Sequence, residues 1–180
     1  ETGEHFSVDQ LDMGGLADAR FILREGGTLG DFYSRIDLKR DGNGAVYINE
    51  KGEIASESIT DVNSYIKLGS VLPDANMAWR NDFRWRNFNF GFMVSARLGG
   101  VVFSRTQAML DYYDVSEVSA AARDAGGVMI NGGDLVDPNK WYTAIGSGNS
   151  VPQYYTYSAT NVRLQEASIG YTIPKKKLGD

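Results

Sequence analysis

Between Ala75 and Ser104 apolar and polar residues alternate, and the phase of the alternation changes once. From Ala75 to Trp85 the odd positions hold Ala75, Met77, Trp79, Asn81, Phe83 and Trp85, with Asn76, Ala78, Arg80, Asp82 and Arg84 between them. From Phe88 onward the apolar set moves to even positions: Phe88, Phe90, Phe92, Val94, Ala96, Leu98 and Val102. Alternation with period 2 sends successive side chains to opposite faces and predicts strands. The phase change predicts a hairpin turning at Arg86-Asn87, through a two-residue or a four-residue turn that gives the same register. Trp85 then faces Phe88, Phe83 faces Phe90, Trp79 faces Val94 and Met77 faces Ala96. On the other face Arg84 meets Asn89, Asp82 meets Gly91 and Asn76 meets Arg97. A slip of one residue would mix the two faces, so the register is strongly specified.

The same pattern recurs elsewhere. Phe32, Ser34, Ile36 and Leu38 alternate with Asp31, Tyr33, Arg35, Asp37 and Lys39. This predicts a long strand over 20–39, kinked at Gly26-Gly27 and Gly30. Near the end, Val162 and Leu164 share one phase while Ala167, Ile169, Tyr171 and Ile173 share the other. The flip at Gln165-Glu166 predicts a β-bulge. The expected architecture is thus all-β, with four long antiparallel strands near 20–39, 74–85, 88–103 and 157–173. Long connections cover 40–73 and 104–156. Residues 1–18 read as a loose segment and 175–180 as a terminal turn.

The connections carry signals of their own. Asp41-Gly42-Asn43-Gly44 predicts a tight turn. It opens like a calcium loop, but the twelfth position is Gly52 rather than a bidentate Glu. Ser116 as N-cap and Gly126-Gly127 as a stop predict a helix near 116–125. Asp137 as N-cap with Pro138 in the first turn predicts another near 138–144, bearing Trp141 and Tyr142.

The strands are as long as the roughly 9–11 residues a tilted strand needs to cross a bilayer. Trp79, Phe83, Trp85, Phe88, Phe90 and Phe92 gather toward the turn. An apolar band with aromatics crowded at one end, alternating with polar residues, marks an outer-membrane β-barrel. Alternation alone fits equally the long hairpin of a soluble β-sandwich or ligand-binding sheet module. A barrel closed by several copies of the chain is a third arrangement. Four strands in one chain do not close a barrel, since the smallest single-chain type has about eight.

Composition narrows the chemistry. The chain has 180 residues, enough for one domain, and no Cys, so no disulfide or thiolate site. No run of about 18 apolar residues is present to form a transmembrane helix. A net charge of −5, with no basic run on an aromatic platform, argues against nucleic acid. The one histidine, His5, lies in the weakly patterned start, and no Ser has a His base. The glycines lack phosphate-loop spacing. No catalytic residue, metal site or cofactor is expected. What remains is binding: Asn76, Arg80, Asp82, Arg84, Asn89, Arg97 and Arg163 offer donors and acceptors to a polar solute. Trp141 and Tyr142, with Tyr112, Tyr113, Tyr154 and Tyr155, suit stacking on sugar faces, packing on a partner, or the core of the long connection itself.

The order of motifs resembles the C-terminal barrel region of SusC/RagA-type TonB-dependent outer-membrane transporters. The resemblance rests on residues 24–33 (Arg-Glu-Gly-Gly-Thr-Leu-Gly-Asp-Phe-Tyr), on Leu68–Asp74, on Asn81–Phe92, on Asp137–Tyr142, and above all on Asn161–Pro174. It departs from the family at the lead-in Ala159–Val162 and in the short Asp41–Gly44 turn. The resemblance implies a fragment of a transmembrane barrel in a Gram-negative outer membrane, importing oligosaccharides or peptides. It implies as partners the remainder of the barrel and its plug, a SusD-like surface lipoprotein, TonB and outer-membrane lipid.

Overall fold

The computed structural model describes residues 10–16, 18–146 and 151–174. The chain opens with β1 (Gln10–Leu16), β2 (Ala19–Arg24), β3 (Asp31–Ser34), β4 (Ile36–Leu38), β5 (Ser56–Ser58) and β6 (Ile66–Ser70). The longer β7 (Ala75–Trp85) and β8 (Phe88–Leu98) follow, then the short β9 (Val101–Phe103). Helices α1 (Arg105–Tyr112) and α2 (Glu117–Asp124) lead to the hairpin of β10 (Val128–Ile130) and β11 (Asp134–Val136). Helix α3 (Pro138–Gly146), β12 (Thr156–Ser158) and β13 (Asn161–Tyr171) complete the described chain. It is mostly β, and among the described residues the strands form open sheets.

The chain divides into two units. One comprises Leu72–Gly100 and Ser158–Asp180, and its strands form a three-stranded antiparallel sheet with β8 in the centre, flanked by β7 and β13. The hairpin register is the one the alternation requires: Trp85 pairs with Phe88, Phe83 with Phe90, Trp79 with Val94, and Asn76 with Arg97. Arg86 takes a positive φ of 52° in the turn, which reverses the chain tightly. The bulge also falls where the phase flips, between Leu164 and Glu166. Strand β8 stops short of the expected 103. Gly99 and Gly100 adopt φ of 74° and 85°, and a Cβ on Gly99 would lie 2.0 Å from an Asp74 carboxylate oxygen. Only glycine fits there, and a strand cannot continue through it.

The other unit comprises Glu1–Val71 and Val101–Tyr157. Here the expectation of a long strand over 20–39 is corrected. The stretch folds back on itself, with β2 antiparallel to β3 and Ala19 opposite Ser34. Gly27 N donates to Arg24 O at 2.9 Å, Asp31 N donates to Thr28 O at 3.1 Å, and Gly26 takes a φ of 74°. Glycines that suit a kink also suit a full reversal, and alternation continues through either. The expectation of a loose 1–18 is corrected in part: β1 pairs with β2 across a bulge. Residues 1–9 and the expected terminal turn at 175–180 lie outside the described residues.

Both expected helices are present. Ser116 Oγ accepts from Ser119 N at 3.0 Å and caps α2, which ends before Gly126 at φ 82°. Asp137 Oδ1 accepts from Asn139 N at 2.9 Å and starts α3. Helix α1 was not expected, although Ser104 and Gln107 have capping-box spacing, and Ser104 Oγ accepts from Gln107 N at 3.2 Å. The core of this unit gathers Leu38, Val46, Ala108, Ile130, Val136, Trp141, Tyr142, Ile145, Val151 and Tyr155.

Candidate functional site: a two-faced sheet

The three long strands present two chemically distinct faces. On one, cross-strand rows run Met77–Ala96–Val162, Trp79–Val94–Leu164, Phe83–Phe90–Ile169 and Trp85–Phe88–Tyr171. The last two rows, beside the turn, hold most of the rings: Phe88 lies 4.7 Å from Tyr171 and Phe83 stacks 6.4 Å from Phe90, centroid to centroid. Aromatic pairs at such distances attract beyond their area. Yet the face has no cover within the described residues. Trp79 is 63% exposed, Trp85 67% and Ile169 80%. At about 3.3 Å per residue and 4.8 Å between strands, the face measures on the order of 400 Å². That matches the largest apolar patch of an ordinary soluble monomer, and such patches are seldom without function.

The opposite face is polar and laced together. Arg80 Nε donates to Asp82 Oδ2 at 2.9 Å, and its Nη1 reaches Glu166 Oε2 at 3.2 Å on the far strand. Arg84 Nε donates to Asn89 Oδ1 at 3.0 Å, and Arg163 Nε to Ser95 Oγ at 3.3 Å. Gly91 sits buried in the middle. A Cβ there would come 2.8 Å from Asp82 Oδ1 and 2.9 Å from Ser168 Oγ, so glycine lets those side chains close over the strand. A depression of about 330 Å³ at the far end of the sheet is lined by Asn76, Met77, Ser95, Ala96, Arg97, Asn161 and Arg163. Among the described residues, β7 and β13 pair with β8 alone, so each presents an edge of backbone donors and acceptors.

No protein-family model matches the chain. Its similarity lies with a transport receptor. The chain is related to a TonB-dependent receptor. TonB-dependent receptor P3 of Formosa agariphila is 26% identical over 191 aligned residues, which take in 98% of the chain. The chain spans only 18% of the length of that receptor. A receptor of this kind is a transport protein and not an enzyme. Among the described residues, no group of three or more His, Cys, Asp or Glu is placed to hold a metal ion.

Of the binding residues expected from the sequence, Asn76, Arg80, Asp82, Asn89, Arg97 and Arg163 share the polar face with Arg84. Trp141 and Tyr142 do not join them. They are buried in the core of the other unit, 8% and 7% exposed, and neither offers its face to a solute. Trp141 meets Tyr154 edge-on at 5.4 Å. Burial pushes the Tyr142 and Tyr155 phenols above the ordinary tyrosine range, as it does for a hydroxyl removed from water. Of the connection's aromatics, Tyr113 is the most open, 65% exposed against the neighbouring Tyr112 ring. Glu166, Ser168 and Asn161 belong to the polar face but were not picked out from the sequence. The bulge was the available signal: it carries Arg163 and Glu166, three apart, onto the same side.

Proposed function

We propose that the chain is part of the C-terminal β-barrel of a SusC/RagA-type TonB-dependent importer in a Gram-negative outer membrane. In this reading the apolar face of β7, β8 and β13 meets lipid and the polar face lines the lumen. The edges of β7 and β13 pair with strands of the remaining barrel, because unpaired backbone groups are costly in hydrocarbon. The observation that carries the reading is the division of three 11-residue strands into an uncovered, mainly apolar face, with Asn81 opposite Phe92 as its polar member in β7, and a mainly polar, hydrogen-bonded face. Strands of that length suit a bilayer, and aromatics grouped at one end suit its interface.

The solute is an oligosaccharide or a peptide, passing without chemical change. Energy comes through TonB from the inner membrane, acting on the plug of the intact receptor. A SusD-like lipoprotein serves as the surface partner. Hydrogen-bonding groups on Asn76, Arg80, Asp82, Asn89, Arg97 and Arg163 contact the solute or the water around it.

The test is a pair of substitutions one step apart in the intact receptor. Val94→Lys puts a charge on the apolar face and should destabilise the barrel in lipid by roughly 2–4 kcal/mol if the site lies near the midplane. Ser95→Lys, on the polar face, should leave folding almost unchanged and alter uptake. Equal folding costs in lipid would sink the division between lipid and lumen, and a soluble sheet module would replace it.

A further inference from the structure

The chain holds two Asn-Gly steps, Asn43-Gly44 and Asn131-Gly132. Both stand in exposed turns of the unit formed by Glu1–Val71 and Val101–Tyr157. In such a step the side-chain amide carbon lies one ring closure away from the next backbone nitrogen. Glycine leaves that nitrogen uncrowded, because it has no Cβ. The ring then closes or not according to how freely the asparagine side chain can turn toward it.

The structure treats the two asparagines differently. Asn131 is locked. Its Nδ2 donates to Val46 O at 2.9 Å and to Asp134 Oδ2 at 3.0 Å, and its Oδ1 accepts from Val46 N at 2.8 Å. These bonds must break before its Cγ can reach Gly132 N. Asn43 is open. Its backbone N donates to Asp41 Oδ1 at 2.8 Å, but among the described residues its carboxamide has no hydrogen-bond partner. Gly44 N is held by one exposed bond, to Asp41 O at 3.1 Å, and the space where a Gly44 Cβ would stand is empty.

We propose that Asn43 is a site of spontaneous covalent modification, with water as co-reactant, and that the fold protects Asn131 from the same reaction. The Gly44 nitrogen gives up its proton and attacks Asn43 Cγ. The bond from that nitrogen to Cγ forms, the bond from Cγ to Nδ2 breaks, and Nδ2 leaves as ammonia with the proton. The product is a cyclic imide, which water opens at either of its two carbonyl carbons. Breaking the bond to Cγ gives aspartate. Breaking the bond to the main-chain carbonyl carbon gives isoaspartate, with the backbone rerouted through the side chain. Nothing is oxidised or reduced.

Either product adds a negative charge to the turn at neutral pH. Isoaspartate also lengthens the main chain by one carbon ahead of Gly44. The bonds that Asp41 accepts from Asn43 N, Gly44 N and Ala45 N then no longer fit together. The turn that leads to the buried Val46 thus records the age of the molecule.

The test ages the intact receptor in detergent in warm neutral buffer, then digests it rapidly under mildly acidic conditions. Each converted peptide gains one dalton, and chromatography separates isoaspartate from aspartate. Asn43 should convert at least about tenfold faster than Asn131, because the bonds holding the Asn131 amide are together worth more than one tenfold step in rate. In receptor digested before ageing, the two steps should convert at similar rates, Asn131 having gained the tenfold or more that the fold withheld. Asn43→Gln, at an exposed position, should keep the fold and abolish the gain in its peptide, since the longer side chain must close a larger ring. If Asn43 in the folded receptor is as inert as Asn131, the modification site is overturned. If Asn131 converts as fast folded as digested, its protection is overturned. A mass gain that persists in the Asn43→Gln peptide overturns the assignment to Asn43.

Discussion

Trp141 and Trp85 carry the same ring into opposite surroundings, 8% exposed in one unit and 67% exposed in the other. Around Trp141 the unit closes on itself. Helix α3 brings Trp141, Tyr142 and Ile145 onto a core completed by Leu38, Val46, Ala108, Ile130 and Val136. Around Trp85 there is a single layer of sheet, and its apolar side has nothing over it among the described residues. The first arrangement satisfies its aromatics by burial against protein. The second leaves its rings touching only one another across the strands, with their outer sides exposed; in the proposed barrel those sides would meet lipid. Hydrophobic content therefore says little about role; what distinguishes the units is whether a second layer exists.

The largest effect that bears on this contrast is truncation of the rings. Trp141→Ala should cost roughly 3–5 kcal/mol, because the surrounding core cannot fill the space. Trp85→Ala leaves no enclosed hole and should cost about 0.5 kcal/mol or less. Unfolding of both variants of the intact receptor in one detergent measures the difference. Equal losses would erase the distinction between an internally packed unit and an open sheet.

A second experiment sharpens what closes the packed unit. Asn131 sits at a positive φ of 52° and uses its side-chain amide as a strand would: Nδ2 donates to Val46 O at 2.9 Å and Oδ1 accepts from Val46 N at 2.8 Å. Asn131→Gly keeps the backbone conformation and deletes both bonds, together with the one from Nδ2 to Asp134 Oδ2 at 3.0 Å. Leaving the backbone groups of the buried Val46 without partners should cost roughly 1–3 kcal/mol. Faster amide exchange at Val46 reports it. An unchanged rate would mean the amide merely accompanies the turn.

The smallest effect is electrostatic. Asp31 is buried, and burial opposes its ionisation, but hydrogen bonds from Lys67 Nζ at 2.6 Å and Thr28 Oγ1 at 2.7 Å outweigh it. Its carboxyl is held below the ordinary aspartate value. A depressed carboxylate contributes stability in full above its unfolded value and loses it as pH falls through the lowered one. Exchange of the β3 amides should therefore accelerate only in strong acid. Lys67→Met should destabilise β3 at neutral pH, and the gap from the parent should narrow as both proteins are acidified. A gap that persists in full at about pH 2 would show that Lys67 acts through packing of its stem rather than its charge.

The hairpin was fully legible in the order of residues. Every pairing from Met77–Ala96 to Trp85–Phe88 follows from two phases of alternation about one turn, because the side-chain period of a strand leaves a single register with both faces coherent. The bulge at Gln165-Glu166 and the caps at Ser116 and Asp137 were legible for the same reason: each is a local rule with a local signal. The fold-back at Gly26-Gly27 was not, since alternation is indifferent to whether a chain kinks or reverses; only the pairing of β2 with β3 decides. Nor was the fate of Trp141 and Tyr142. A helix with aromatic residues looks alike whether it faces a solute or a core, and burial is settled by residues distant in the chain, Leu38 and Val46 among them. The sequence by itself determined which residues share a face. Tertiary structure alone decided which faces are covered, because cover is supplied by other elements and no local pattern encodes their arrival.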